Sequence, residues 1–227
     1  MDKLSKPGKA EWITLRFIIA AILFLATLFI FVSIADEIVL ENNSKFDQII
    51  SKKILSFESP AITGIMEVFT FFGSHTFLFP AYIILIVFYF FRKKTRLALD
   101  IIMVGLSSTG ILFLFKSIFQ RTRPLDPLIK DVTGFSFPSG HSFSSFTFFG
   151  MMIYVIWQTK IRKGWKILFS VLLFLFASVI AFSRVYLRVH YPSDVIAGFC
   201  LSIVWLILSL WILHKIDLLK FFTLKAK

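Results

Sequence analysis

Residues 17–34 read FIIAAILFLATLFIFVSI, a run without a single charge. A helix that crosses a bilayer needs about 20 consecutive apolar residues, and no strand or amphipathic period interrupts this stretch. Lys3, Lys6, Lys9 and Arg16 precede it, and Ser33-Ile34-Ala35 resembles a cleavage site, as in a secretory signal. Signal cores run to only about 7–15 residues, so the stretch is read as a retained first spanning helix. Five more apolar runs follow: Ile62 to Phe91, Leu97 to Phe119, Ser139 to Trp157, Trp165 to Val185 and Val195 to Leu213. Six spans would occupy roughly 120 positions at that length each, and short loops the remainder. The expected fold is all-α: a polytopic membrane protein with six transmembrane helices in one bundle, forming a single domain over residues 1–227.

Composition agrees. Of 227 residues 57% are hydrophobic and 30 are Phe, while only 17% are charged, against about a quarter in a soluble domain. That excludes a disordered chain, and no stretch is polar enough to form a second domain. The single cysteine, Cys200, lies in an apolar run and is read as an inert small hydrophobe. Small residues, among them Gly105, Ser108, Thr109, Ala197 and Gly198, mark expected close helix contacts.

Between the first two runs, Phe46, Ile49, Ile50, Ile54 and Phe57 recur at helical spacing, with Lys45, Asp47, Lys52 and Lys53 between them. This predicts a short amphipathic helix at the membrane interface. The net charge of +12 is not spread evenly. Basic clusters fall at the N-terminus, at Arg92, Lys93, Lys94 and Arg96, at Lys160, Arg162, Lys163 and Lys166, and at Lys215, Lys220, Lys225 and Lys227. With six spans all four clusters share one side, which the positive-inside rule makes cytoplasmic, together with both termini. Trp12, Trp157, Trp165 and Trp211 sit near that boundary, as an interfacial belt would. Short clusters between apolar runs do not suit nucleic-acid binding.

The opposite side carries cations that the charge rule does not predict: Lys116, Arg121, Arg123, Lys130, Arg184 and Arg188. Charges at membrane depth are expensive unless they have a task. Arg121, Lys130 and Arg188 are equally well read as snorkelling to the headgroups. Lys116 and Arg123 are seven apart, nearly two helical turns, so they would project together before Pro124 ends the helix. Pro138-Ser139-Gly140-His141 opens the fourth run, where free N–H groups at a helix start favour an anion. Ser183-Arg184 is followed by His190 and, four residues on, Asp194; with the sixth helix beginning near here the two would lie on one helix face, a carboxylate beside an imidazole. All three blocks fall on the same predicted side.

These residues resemble the type 2 phosphatidic acid phosphatase superfamily of membrane lipid phosphatases, over about residues 60–214. Lys116 through Arg123-Pro124 is similar to its first block, Pro138 to His141 to its second, and Ser183-Arg184 with His190 and Asp194 to its third. The resemblance implies a phosphatase acting on a lipid phosphate monoester or diphosphate: phosphatidylglycerol phosphate, undecaprenyl diphosphate or phosphatidic acid. It implies a bacterial inner (plasma) membrane, with the active site on the extracytoplasmic side. His190 would attack phosphorus to form a phosphohistidine, Asp194 would orient it, and His141 would act as acid and then base. Lys116, Arg123, Ser139, Gly140 and Arg184 would hold the phosphate oxygens. No metal and no cofactor is required; partners are the lipid substrate and the bilayer. Two alternatives remain open: phosphoryl transfer to another lipid, and transport, against which stand the clustering of charge at one end and the lack of an inverted repeat. His75, in Gly73-Ser74-His75, is read as an interfacial residue with a possible substrate contact; His214 as a helix-end residue; Asp126 and Asp131 as solvated loop.

Overall fold

The computed structural model describes residues 9–40, 45–130 and 132–215. Lys3, Lys6, Asp131, Lys220, Lys225 and Lys227, and the side chains of Lys9, Trp12 and Arg16, lie outside the described residues. Within these residues eight α-helices follow in chain order: α1 (Lys9–Ile34), continued by a π-turn over Ala35–Leu40, α2 (Lys45–Leu55), α3 (Pro60–Phe71), α4 (His75–Phe91), α5 (Thr95–Phe119), α6 (Gly140–Trp157), α7 (Lys163–Tyr186) and α8 (Pro192–Lys215). No strand occurs among the described residues.

Among the described residues five helical segments are long and apolar enough to cross a membrane: Phe17–Glu37, Pro60–Phe91, Thr95–Phe119, Lys163–Tyr186 and Pro192–Lys215. The remaining expected span, α6, has 18 residues, about 27 Å of helix. It begins with Ser142, Ser145 and Thr147 buried, and it packs against both α7 and α8 at the centre of the bundle. Its polarity is internal, where neighbouring helices rather than lipid surround it. Trp157, Trp165 and Trp211 are exposed near the loop ends of α6, α7 and α8, where the sequence places the aromatic belt.

The run from Ile62 to Phe91 is not one helix. It breaks at Phe72-Gly73-Ser74 into α3 and α4. A Cβ at Gly73 would stand 2.5 Å from Ile180 Cγ2, 2.9 Å from Ser145 Oγ and 3.1 Å from His141 Cδ2. Only glycine lets the chain come this close to α6 and α7. Ser59 begins α3 by accepting from Ile62 N at 3.3 Å, with Pro60 in the first turn.

Two of the small residues act as expected. A Cβ at Gly105 would meet the Tyr82 ring at 3.2 Å, so α4 and α5 touch there, and Gly198 is the contact of α8 with the start of α6. At the end opposite the motif blocks, Tyr89, Leu97, Ala98, Ile101, Val104, Met151, Val155 and Leu213 form one apolar cluster. Burying each such side chain is worth about 1.5–3 kcal/mol relative to water, although within lipid the gain comes from packing. Beside it Asp100 is buried, bonded by Arg96 Nε at 3.2 Å and facing Tyr154 Oη at 3.3 Å.

Candidate active site

The third block is built by the way α7 ends and α8 begins. Leu187 closes α7, and Arg188 takes a left-handed φ of 55° that turns the chain back. The N–H groups of Val189 and His190 both donate to Arg184 O, at 3.1 and 3.2 Å. His190 therefore rides on a turn outside the helix, not on the helix face that the spacing to Asp194 predicts. Pro192 starts α8, and Asp194 in its first turn accepts from Tyr191 N at 2.9 Å. His190 and Asp194 still meet, because the turn folds the imidazole over the carboxylate.

Nδ1 of His190 lies 3.5 Å from Asp194 Oδ2, at the outer limit of a hydrogen bond. Ser136 stands between them: its hydroxyl donates to Asp194 Oδ2 at 2.5 Å and lies 3.3 Å from His190 Nδ1. On the other edge of the ring, Arg123 Nη1 is 3.2 Å from Nε2. A guanidinium only donates, so Nε2 must be the lone-pair nitrogen and Nδ1 the protonated one. Burial pushes the His190 imidazole down to about 4, with Asp194 working in the opposite direction. The ring is neutral at pH 7, with its basic nitrogen turned toward the cations.

Arg123 is not on α5. That helix stops at Phe119, with Gln120 left-handed at φ 46°, so Lys116 and Arg123 do not share a helix face as their spacing predicts. A loop brings them together instead. Lys116 Nζ donates to Phe135 O at 2.5 Å, while Arg123 donates to Gly134 O at 2.9 Å, Thr133 O at 3.0 Å and Val189 O at 2.7 Å. Burial lowers the Arg123 guanidinium below its ordinary value, with Asp194 opposing.

Ser139 caps α6 by accepting from Ser142 N at 3.4 Å, and its own N–H donates to Asp194 O at 3.0 Å. The second and third blocks are thus stitched through the backbone. Gly140 begins the helix beside Lys116: a Cβ there would sit 3.7 Å from Lys116 Cε. Arg184 is buried, donates through Nη1 to Thr70 Oγ1 at 2.5 Å, and has an Nε with no partner. His141 follows in the first turn of α6: its Cδ2 lies 3.1 Å from where a Cβ on Gly73 would stand, and it lines one cavity together with Gly140 and His75. All eight residues expected from the sequence gather at one end of the bundle.

The sequence missed three residues. Ser136 had no signal beyond standing two positions before Pro138. Arg121 was left divided between snorkelling and function; it donates to Asp194 Oδ1 at 2.6 Å and to Asp47 Oδ2 at 2.7 Å. Asp47, expected on the polar face of α2, is buried with 1% of its surface exposed. A cavity of about 630 Å³ opens from Gly140 and His141 between α4 and α5, past His75, Tyr82, Gly105 and Ile101. No cluster of His, Cys, Asp or Glu among the described residues has the arrangement of a metal site.

The PAP2 superfamily matches residues 97–217. Phosphatidylglycerophosphatase B of Bacillus subtilis is 31% identical over 163 residues, 69% of this chain and 78% of that one. Lipid A 4'-phosphatase of Bacteroides thetaiotaomicron is 42% identical over 65 residues, 29% of this chain and 25% of the relative. The crystal structure of a transmembrane PAP2 type phosphatidylglycerolphosphate phosphatase from Bacillus subtilis superposes with a TM-score of 0.77 at 26% identity, covering 86% of this chain and 97% of that one. Aquifex aeolicus LpxE gives 0.57 at 26% identity, covering 72% and 93%.

Proposed function

The chain belongs to the PAP2 superfamily and is a membrane lipid phosphatase; we propose that it hydrolyses a lipid phosphate monoester or diphosphate through a phosphohistidine on His190. The observation that carries this reading is the pair of contacts on one imidazole: Nδ1 turned to Ser136 and Asp194, Nε2 turned to Arg123 at 3.2 Å. An anion held by Arg123, Lys116 and Arg184 would present phosphorus to a neutral, unprotonated nitrogen.

In the first step Nε2 forms the N–P bond as the lipid oxygen leaves, and His141 gives that oxygen its proton. In the second, water attacks phosphorus, His141 takes the water proton, and the N–P bond breaks to return Nε2. Asp194 stabilises the positive charge that builds on the ring. Lys116, Arg123, Arg184, the Ser139 hydroxyl and the Gly140 N–H hold the equatorial oxygens where charge shifts during transfer. No step needs a metal.

Phosphatidylglycerol phosphate is the substrate of first choice together with undecaprenyl diphosphate. The relative named for phosphatidylglycerophosphatase activity supports the former. The apolar cavity leading from His141 between α4 and α5 suits a lipid tail of either kind. We further propose that α6 is the sixth span and that the motif-bearing end faces away from the cytoplasm, which rests on the loop charges. Hydrolysis is preferred to transport because the motif cations gather at one end of the bundle while the other end is packed by the apolar cluster around Val104, Met151 and Val155.

The test is phosphate release by purified protein in EDTA from phosphatidylglycerol phosphate, undecaprenyl diphosphate, phosphatidic acid and a soluble sugar phosphate. His190→Ala is the control. Release from a lipid, lost in the variant, is expected. Residual hydrolysis by His190→Ala would remove it as nucleophile, and loss in EDTA restored by a divalent ion would overturn the metal-free chemistry.

A further inference from the structure

Asp47 is a buried carboxylate on a helix outside all three motif blocks. Its Oδ1 accepts from Ser193 N at 2.9 Å, and its Oδ2 accepts from Ser193 Oγ at 2.6 Å and Arg121 Nη2 at 2.7 Å. The other arm of the same guanidinium, Nη1, donates to Asp194 Oδ1 at 2.6 Å and to Ser193 Oγ at 2.9 Å. The Tyr191 ring lies under Arg121 at 4.1 Å. One arginine thus forks onto two carboxylates, and one of them is the partner of His190.

We propose that Asp47 is a positioning residue for this reaction: it fixes Arg121 so that the guanidinium divides its charge between Asp47 and Asp194, which sets how strongly Asp194 supports His190. This rests on His190 being the nucleophile. Arginine is suited to the task because its planar fork holds two oxygens in fixed directions. Burial works against the Arg121 charge, yet Asp194 and Asp47 together hold the guanidinium above its ordinary value. With Asp47 neutral, Arg121 would lean wholly on Asp194, and the carboxylate would have less negative charge to offer the imidazolium. With Arg121 neutral, two buried carboxylates would face each other across Ser193, and one would take up a proton.

The ion pair is not the sole contact of α2: the helix touches both α7 and α8, and Ile54 packs on the Tyr186, Leu187 and Val189 cluster. Both terminal nitrogens of Arg121 are bonded to carboxylates, whereas the buried Nε of Arg184 has no partner among the described residues.

The experiment compares Asp47→Asn, Arg121→Gln and the double variant in detergent, with kcat, KM and Tm for each. Asp47→Asn should lower kcat roughly 10–100-fold at nearly constant KM, by analogy with the carboxylates that orient metal-ligating histidines, whose removal costs about that much. Arg121→Gln should lose more. The double variant should regain at least about tenfold over Arg121→Gln, since it removes the second buried negative charge. A double variant no better than Arg121→Gln, or an Asp47→Asn loss confined to Tm and KM, would overturn the proposal. Should Asp47→Asn not fold, Arg121→Lys gives the same answer, because a point charge cannot fork onto both carboxylates; unchanged kcat there would be equally fatal. His190→Ala run in parallel separates the two readings. Activity in His190→Ala removes the nucleophile itself, whereas loss in His190→Ala without rescue in the double variant removes only the role of Asp47.

Discussion

Gly198→Ala should cost catalysis as well as stability, because of where α8 meets α6. A Cβ at Gly198 would stand 2.8 Å from Ser139 O, 3.0 Å from Ser142 Cβ and 3.1 Å from Phe143 N, where ordinary contact begins at 3.4 Å. Two of these three atoms are backbone and cannot rotate away. The start of α6 must therefore back off α8 by roughly 0.6 Å, and overpacking of this kind costs about 1–3 kcal/mol. The displaced segment is Ser139-Gly140-His141, which holds the phosphate cradle and the general acid in the mechanism above. It is also the segment whose Ser139 N–H is bonded to Asp194 O at 3.0 Å. Since a misplacement of about 1 Å costs about 100-fold in rate, this shift should lower kcat about tenfold. The assay is steady-state phosphate release from the preferred lipid, with Tm measured on the same preparation. Wild-type kcat in a variant whose Tm has fallen would show that the α6–α8 contact serves packing alone, and would refute the argument.

Three further outcomes follow from the same geometry. Ser136→Ala removes the hydroxyl between His190 and Asp194, and kcat should fall roughly 10–100-fold, the worth of a hydrogen bond to a charged group, with KM unchanged; an unaltered kcat would leave the direct 3.5 Å contact sufficient. Because burial lowers His190 to about 4, folding favours its neutral form: its contribution to stability is complete above its ordinary value of 6.5 and declines as pH falls from there through 4. Histidine-selective NMR at pH 5.5 should still find a neutral His190 ring, and a titration centred near 6.5 would contradict the burial argument. Thr109→Leu adds apolar bulk to the α5 wall of the cavity; at about 0.8 kcal/mol per excluded CH₂, two displaced methylenes should lower kcat/KM for long-tailed lipids roughly tenfold and spare a short-chain soluble analogue. An equal loss on both substrates would mean that the cavity does not hold the tail.

The bundle was legible because lipid imposes a long-run pattern that no local detail can hide. Long apolar runs name the spans, and loop charge supplies an expected orientation. The break at Gly73 was not legible in that way. Hydropathy sees only that residues 62–91 are apolar, while the break is caused by the close approach of Ile180, Ser145 and His141 to one backbone position. The same limit applies to α6, whose polar first half is tolerated because α7 and α8 surround it.

Within the site, spacing found the right residues for partly wrong geometric reasons. Lys116 and Arg123 converge through the loop segment 133–135 that both of them bond, and His190 reaches Asp194 from a turn, not along a helix. Asp47 shows what spacing cannot supply, since its partners are 74 and 146 residues away in sequence. Charge gives the missing constraint. Lys116, Arg121, Arg123 and Arg184 bring four positive charges to this end of the bundle, and Asp194 alone would leave an excess of three before the substrate arrives. A lipid phosphate monoester carries about −1.5 to −2 near neutral pH. With Asp47 included the residual is four minus two, the charge of one bound dianion. A helix outside the three motif blocks that supplies that carboxylate brings the site near to neutrality once phosphate binds, and lets release of the product cost less than it would from a site with one more uncompensated cation.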